Sequence, residues 1–404
     1  MNKELRHIEE LMAKHETSFY IYFESIIKKQ IDILLDNFPQ FEFLYSIKTN
    51  PFKPIVEYVV SKGLGADAAS AKEVSISHEA GLPYKKILYS TPGKTRKDIE
   101  RTIDKAIIIA DSYNELMLIN DVAKGLNKHI KVGLRVNPDF NMDGEKGISS
   151  KFGVDEGTLI NQIGFFKSLT NIEITGLHIH IKSQVLDYNR LYQYYENIFK
   201  LAEYCMDKLN WDIDFINFGG GLGLVYSLAN DAPLDIKTLG SKCNDLIEEY
   251  KSKLKARFII ETGRFVICEA GYYITPITDI KKSMGTKYLI VEKGLNGFLR
   301  PSIAELLTSN IPETEIKKSL EPLYTVKDAF EFLIPEGDAN IREKVSIVGS
   351  LCTATDIMVK DILVPKANIG DYIIITKAGS YSYSLSPLLF ASHEPPLQFY
   401  IKQD

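Results

Sequence analysis

Short apolar runs alternate with longer amphipathic stretches over the first two thirds of the chain. Eight β-rich runs stand out: EFLYSIK (42–48), LGADAAS (64–70), KILYS (86–90), AIIIAD (106–111), VGLRVNP (132–138), TGLHIHIKS (175–183), DFINFGGG (214–221) and FIIETGR (258–264). Several are nearly continuous in apolar residues, the pattern of parallel strands covered on both faces. The stretches between them are long enough for helices, among them PFKPIVEYVVSKG and DYNRLYQYYENIFKLAEYCMDKL. Strand and helix alternating eight times predict an α/β fold, a (β/α)₈ barrel. An open doubly wound sheet is the competing architecture.

After about residue 272 the texture changes. GYYITPITDIKKS, TKYLIVEKG, EKVSIVGSLC, DIMVKDILVP and GDYIIITKAGSYSYSLS are short strands broken by Gly, Pro and Asp, with little helix between. They predict an antiparallel β domain, which SFYIYF (18–23) is placed to join. The expected division is a barrel over 25–272 and a β domain made of 1–24 plus 273–404. The trailing strands also favour the barrel over the open sheet.

Composition narrows the function classes. A net charge of −5 argues against nucleic-acid binding as the main business. No run approaches the roughly 18 apolar residues of a membrane span. The opening MNKELRHIEELMAKHE lacks the apolar core of a signal peptide. Cys205, Cys243, Cys268 and Cys352 are too few for a disulfide scaffold and lack metal-type spacing. A cytoplasmic protein without a metal is the expectation.

In a (β/α)₈ barrel, chemistry belongs at the C-terminal ends of the strands. There the sequence puts Lys48, Asp67, Arg135, Asn137, His180, Gly219, Gly220, Gly221, Glu261 and Arg264. A lysine in a partly desolvated barrel mouth can form a Schiff base; a solvent-facing strand-end lysine is the alternative. The three glycines offer backbone N–H groups to a phosphate, although tight turns use glycine as well. Glu261 follows the apolar FII, so its carboxylate either keeps a pyridine nitrogen protonated or pairs with Arg264. HIHIK alternates, which places His178 and His180 on one face; one of them, His180 by its position, is either a ring that stacks on a flat cofactor or a satisfied core histidine.

In this order and spacing the motifs resemble those of the fold-type III pyridoxal-phosphate-dependent decarboxylases, the group of diaminopimelate, ornithine and arginine decarboxylases. YSIKTN resembles Tyr-Ala-Val-Lys-Ala-Asn, GADAASAKEV the motif after the second strand, and HIHIKSQ the motif His-x-His-x-Gly-Ser-Gln. FGGGLG, ETGR, GSLCTATD and AGSYSYS follow the family in turn. The resemblance implies an alanine racemase-like barrel, pyridoxal 5′-phosphate as cofactor, and Lys48 as the lysine that carries it. It assigns His180 to the cofactor ring and Ser183, Gly219, Gly220, Gly221 and Tyr381 to its phosphate. Asp67, Gly263 and Arg264 also fall among the cofactor residues, and Glu261 is assigned to the pyridine nitrogen. Cys352 becomes the catalytic cysteine, supplied across a homodimer with shared active sites; by itself it reads as a small apolar residue of a β domain.

The departures concern substrate. Thr353 stands where diaminopimelate and ornithine decarboxylases place an acid for the substrate's distal ammonium. LNGFLRP leaves Arg300 as a candidate clamp for a distal carboxylate. The resulting expectation is a small amino-acid-derived substrate with an acylated far end, such as a citryl-ornithine or citryl-diaminopropionate adduct of siderophore assembly. Lysine-pathway diaminopimelate decarboxylation and decarboxylation of a carrier-tethered amino acid are the alternatives. Lys182 and Thr262 replace the family's glycine and proline without removing a catalytic group. A racemase would favour a non-acidic group at the position of Glu261, and a non-catalytic homologue would have lost Lys48 or Cys352.

Overall fold

The computed structural model describes residues 2–403 except 143, 228–230, 313–314, 317–321 and 324. The chain divides into two compact units. The first comprises 1–30, 225–232 and 264–404; the second comprises 31–224 and 233–263.

Strand β1 (Phe19–Phe23) belongs to the first unit, and the next strands build the second. These are β2 (Phe41–Ser46), β3 (Gly65–Ala68), β4 (Ile87–Tyr89), β5 (Ile107–Ala110), β6 (Ile130–Asn137), the two-residue β7 (Val154–Asp155), β8 (Ile172–His178), β9 (Phe215–Asn217) and β10 (Arg257–Thr262). All pair in parallel, β10 closes on β2, and β5 closes on β6. Leaving out β7, which only flanks β6, the result is a closed eight-stranded parallel barrel, as the alternation predicts. Its helices begin where the sequence supplies caps: Ser70, Thr95, Ser112, Asp187 and Asp235 each accept a backbone N–H of the first turn.

The barrel interior is filled by Leu44, Leu88, Ile107, Ile109, Phe215 and Ile259. Phe215 fits because Gly133 and Gly176 face it; a Cβ at either glycine would run into its ring. The strands are shorter than the apolar runs. EFLYSIK stops being strand at Ser46, and Ile47–Thr49 form a 3₁₀ turn that carries Lys48. TGLHIHIKS leaves the ladder after His178, because the next residues turn to pack on the glycine loop after β9.

The first unit holds a separate, mainly antiparallel sheet. Its further strands are β11 (Gly271–Ser283), β12 (Thr286–Val291), β13 (Phe332–Leu333), β14 (Asp338–Val348), β15 (Ile357–Lys366), β16 (Tyr372–Ile375) and β17 (Leu397–Ile401). β1 lies between β11 and β17, and the pairings β1–β17 and β12–β14 are parallel. The helix Asn2–Met12 lays Ile8 and Met12 on Phe19, Ile21, Ile274 and Ile374 of this sheet.

Phe215→Ala empties the centre of the barrel interior and is expected to cost about 3–5 kcal/mol. Urea unfolding followed by far-UV circular dichroism checks this; a loss below about 1 kcal/mol would show that Phe215 does not anchor the interior.

Candidate active site

The site in the barrel grows from the C-terminal ends of its strands. Asp67, in β3 and fully buried, accepts three donors from neighbouring strand ends. Lys48 Nζ donates to Oδ2 at 2.9 Å and Ser46 Oγ at 3.0 Å, while Ser90 Oγ donates to Oδ1 at 2.5 Å. A buried carboxylate is tolerable only when its oxygens are satisfied in this way. The lysine side chain keeps 43% of its surface exposed, so its amine stands at the mouth with a fixed anion behind it. Glu73, in the first turn of the helix Ala71–Glu79, accepts the Ala69 N–H at 2.7 Å and is pushed up to about 6, chiefly by burial.

Glu261 sits deeper. Asn217, at the end of β9, donates Nδ2 to its Oε1 at 2.8 Å, and His178 Nε2 lies 3.2 Å from the same oxygen. Arg135, His178 and Asn217 occupy one rung across β6, β8 and β9. Burial works against a charge on Glu261, yet the neighbouring His178 ring and the Lys48 amine outweigh it. The carboxyl is held well below the usual carboxylate range. It is therefore an anion at neutral pH.

His180 lies against the glycine loop. Gly220 N–H donates to its Nδ1 at 3.1 Å, which places the ring proton on Nε2, 3.4 Å from Ser183 Oγ. Desolvation lowers its pKa to about 4; Glu261 opposes the shift, while Arg135, Lys48 and His178 add to it. Gly219 adopts φ +69°, and a Cβ there would meet the Ile179 carbonyl and the His180 ring. A Cβ at Gly263 would fall on Thr49 Oγ1, beside Lys48. Glycine is thus required at both places by close packing. Lys182 is exposed and Thr262 is buried at the end of β10.

In the other unit, Arg264 and Arg300 converge on Tyr226. Arg264 Nη1 donates to Tyr226 Oη at 2.6 Å, and its guanidinium lies 5.1 Å from the Tyr381 ring centre. Tyr381 itself adopts φ +51°. Arg300 is fully buried and donates to Tyr226 Oη and the Ser380 carbonyl, each at 3.3 Å, and to Thr325 Oγ1. Cys352 and Thr353 lie on the loop between β14 and β15, the thiol exposed and the threonine half-buried.

Sequence reasoning missed Ser46, Ser90, Asn217 and Tyr226, and treated His178 only as a neighbour of His180. Asn217 and His178 were findable, because each is a polar residue closing an apolar strand beside a motif already singled out. Tyr226 had no such signal.

His180 titrates near 6.5 when unfolded and near 4 in the fold. Between these values the unfolded chain binds the extra proton, so the neutral ring's contribution is complete above 6.5 and lost as pH falls through about 4. Glu73 acts with the opposite sign between 4.5 and about 6. Replacing His180 by Gln should therefore flatten the rise of stability with pH across the His180 window; an unchanged slope in urea unfolding would contradict a neutral ring in the fold.

The family model for the pyridoxal-dependent decarboxylases, pyridoxal binding domain, matches residues 24–268. The diaminopimelate decarboxylase of Aquifex aeolicus is 29% identical, aligned over 94% of this chain and 85% of its own. An L-glutamyl-[BtrI acyl-carrier protein] decarboxylase of Niallia circulans is also 29% identical, over 98% of this chain and 92% of its own. Among solved structures, diaminopimelate decarboxylase from Helicobacter pylori complexed with L-lysine superposes with a TM-score of 0.82. It has 25% identity, and the match covers 98% of this chain and 94% of that one. The barrel fits pyridoxal phosphate on its own terms: an amine held at the mouth by Asp67, an ionised carboxylate inside, and glycine backbone where a Cβ would intrude. The chain belongs to the pyridoxal-dependent decarboxylases, enzymes that use pyridoxal phosphate to remove carbon dioxide from amino acids.

Proposed function

We propose that the substrate is an amino acid whose far end is not a free ammonium, an N-acylated diamino acid such as a citryl adduct of ornithine or diaminopropionate. The observation that carries this is the Cys352 loop. Thr353 follows the cysteine, and the loop's single acid, Asp356, is buried with both oxygens on backbone amides. A distal ammonium would find no carboxylate there, and leaving such a charge unpaired is costly. Arg300 is the candidate partner for an acidic far end.

Pyridoxal phosphate, when bound, supplies the sink for the electron pair freed as carbon dioxide leaves. In this reading Asp67 orients the Lys48 amine, and ionised Glu261 keeps a proton on the ring nitrogen opposite it. Neutral His180 offers a flat face, and Ser183 with Gly219, Gly220 and Gly221 holds the phosphate. Arg264, Gly263 and Tyr381 keep the cofactor roles that the resemblance gives them. Lys48 or Cys352 of the partner subunit returns a proton to the α carbon. The enzyme is then a cytoplasmic homodimer with shared sites. Among the described residues no helix is long and apolar enough to cross a membrane.

A second reading rests on a different observation, the match to the carrier-protein glutamyl decarboxylase along 98% of this chain. A carrier-tethered amino acid also presents no distal ammonium, so the Thr353 argument serves both readings.

Carbon dioxide release from N-citryl-ornithine, carrier-linked glutamate and meso-diaminopimelate, measured in parallel on the holoenzyme, tests the proposal. Turnover of the citryl adduct alone is expected. Preference for carrier-linked glutamate would move the enzyme to the second reading, and rapid release from meso-diaminopimelate would overturn the Thr353 argument. On the productive substrate, Glu261→Gln should lower kcat by about 100-fold or more, since a weakened sink raises the chemical barrier. Mixing inactive Lys48→Ala and Cys352→Ala proteins should restore part of the activity if sites are shared; no recovery would contradict the dimer.

A further inference from the structure

The loop bearing Cys352 and Thr353 spans 349–356, between Val348 at the end of β14 and Ile357 at the start of β15, and has no ladder of its own. Ser350 Oγ ties it to the Glu292 carbonyl at 2.7 Å, and at its other end it is held by Asp356, a carboxylate only 3% exposed. Its Oδ2 accepts the N–H of Leu351 at 2.9 Å, the residue immediately before Cys352. Its Oδ1 accepts the N–H of Leu295 at 2.6 Å, in the connection that leads from β12 to the helix Leu299–Asn310 carrying Arg300. The backbone of Asp356 closes the loop as well. Its carbonyl accepts from Gly349 N–H at 3.0 Å and its N–H donates to the Thr353 carbonyl at 3.3 Å.

The carboxylate occupies a slot made by two glycines from separate segments. A Cβ at Gly294 would fall on Oδ1, and a Cβ at Gly349 would fall on Oδ2. Neither glycine has the positive φ that would explain it by backbone conformation alone. The slot is therefore shaped for this side chain, and one buried anion ties the cysteine loop to the segment that leads to Arg300. Bonds to an ionised acceptor are about twice as strong as neutral ones. An ordinary turn-stabilising aspartate would bond within its own loop, whereas this one spans two connections.

We propose that Asp356 is a positioning residue. Its bonds to Leu351 and Leu295 fix Cys352 and Thr353 relative to the approach to Arg300, and so set the geometry in which the loop meets substrate. The proposal rests on the assignment of Cys352 to the reaction made above. Asparagine cannot replace the aspartate, because its amide offers one acceptor and turns an NH₂ toward the second N–H. Alanine at Gly349 attacks the same tether from the other side while leaving the carboxylate in the chain.

The test compares wild-type, Asp356→Asn and Gly349→Ala holoenzymes. Alkylation of Cys352 by iodoacetamide is followed by mass spectrometry, with buried Cys205, Cys243 and Cys268 as internal controls. Carbon dioxide release is measured on whichever of the three substrates turns over. Both variants should change the Cys352 alkylation rate and lower kcat by about tenfold, the scale of one lost charge-assisted bond. Bound-cofactor absorbance and the protection of the buried cysteines should stay as in wild type, which a general loss of folding would not allow. Should Asp356→Asn fail to fold, Gly349→Ala carries the same readouts. Wild-type alkylation and kcat in both variants would overturn the proposal. Altered alkylation with unchanged kcat would keep the tether and overturn the role of Cys352 instead.

Discussion

The arrangement in the barrel depends on one buried negative charge. Glu261 lies where desolvation favours its neutral form, and His178, Asn217 and Lys48 reverse that preference. Those partners come from the ends of different strands, so the charge state is a product of closure and register. His178 and Asn217 share a rung, and slipping either strand by one residue would turn its side chain to the opposite face. A second buried anion, Asp67, does the same for the lysine at the mouth. The two carboxylates have different partners: Asp67 holds the Lys48 amine in place, and Glu261 accepts the Asn217 amide.

This division explains which parts of the site were legible in the sequence. Strand number and chemistry at strand ends follow from periodicity, because a parallel strand buried on both faces has to be apolar until its last residues. Lys48, Asp67, His180 and Glu261 could be named for that reason. The supporting hydroxyls of Ser46 and Ser90 could not, since serine at a strand end is commonplace and only the closed barrel brings both to Asp67. The alternation in HIHIK suggested two histidines on one face. In the fold, His178 ends the strand against Glu261 and His180 turns to the glycine loop, so the two serve different partners.

The first unit was less legible. Six of its eight strands showed as runs in the sequence, while β13 and β17 did not; β1 reaches its neighbours across most of the chain, and its parallel pairing with β17 has no local signal. Tyr226 lies in a short segment that joins this unit from within the barrel's stretch of sequence, and nothing in LVYSL hints at two guanidinium partners. Arg300 could be named from its motif, while its burial against Tyr226, Ser380 and Thr325 depends on pairings set far away in sequence. Asp356 carries no signal in the sequence beyond following the cysteine by four residues; its contacts depend on the Gly294–Gly349 slot, which only the fold brings together.

The central claim is that Glu261 remains ionised and holds a proton on the cofactor's ring nitrogen. Nitrogen NMR of the holoenzyme loaded with pyridoxal phosphate labelled at that nitrogen, at neutral pH, tests it most directly. A protonated ring in the wild type that loses its proton in Glu261→Gln is the predicted result; an unprotonated ring in the wild type would contradict the account.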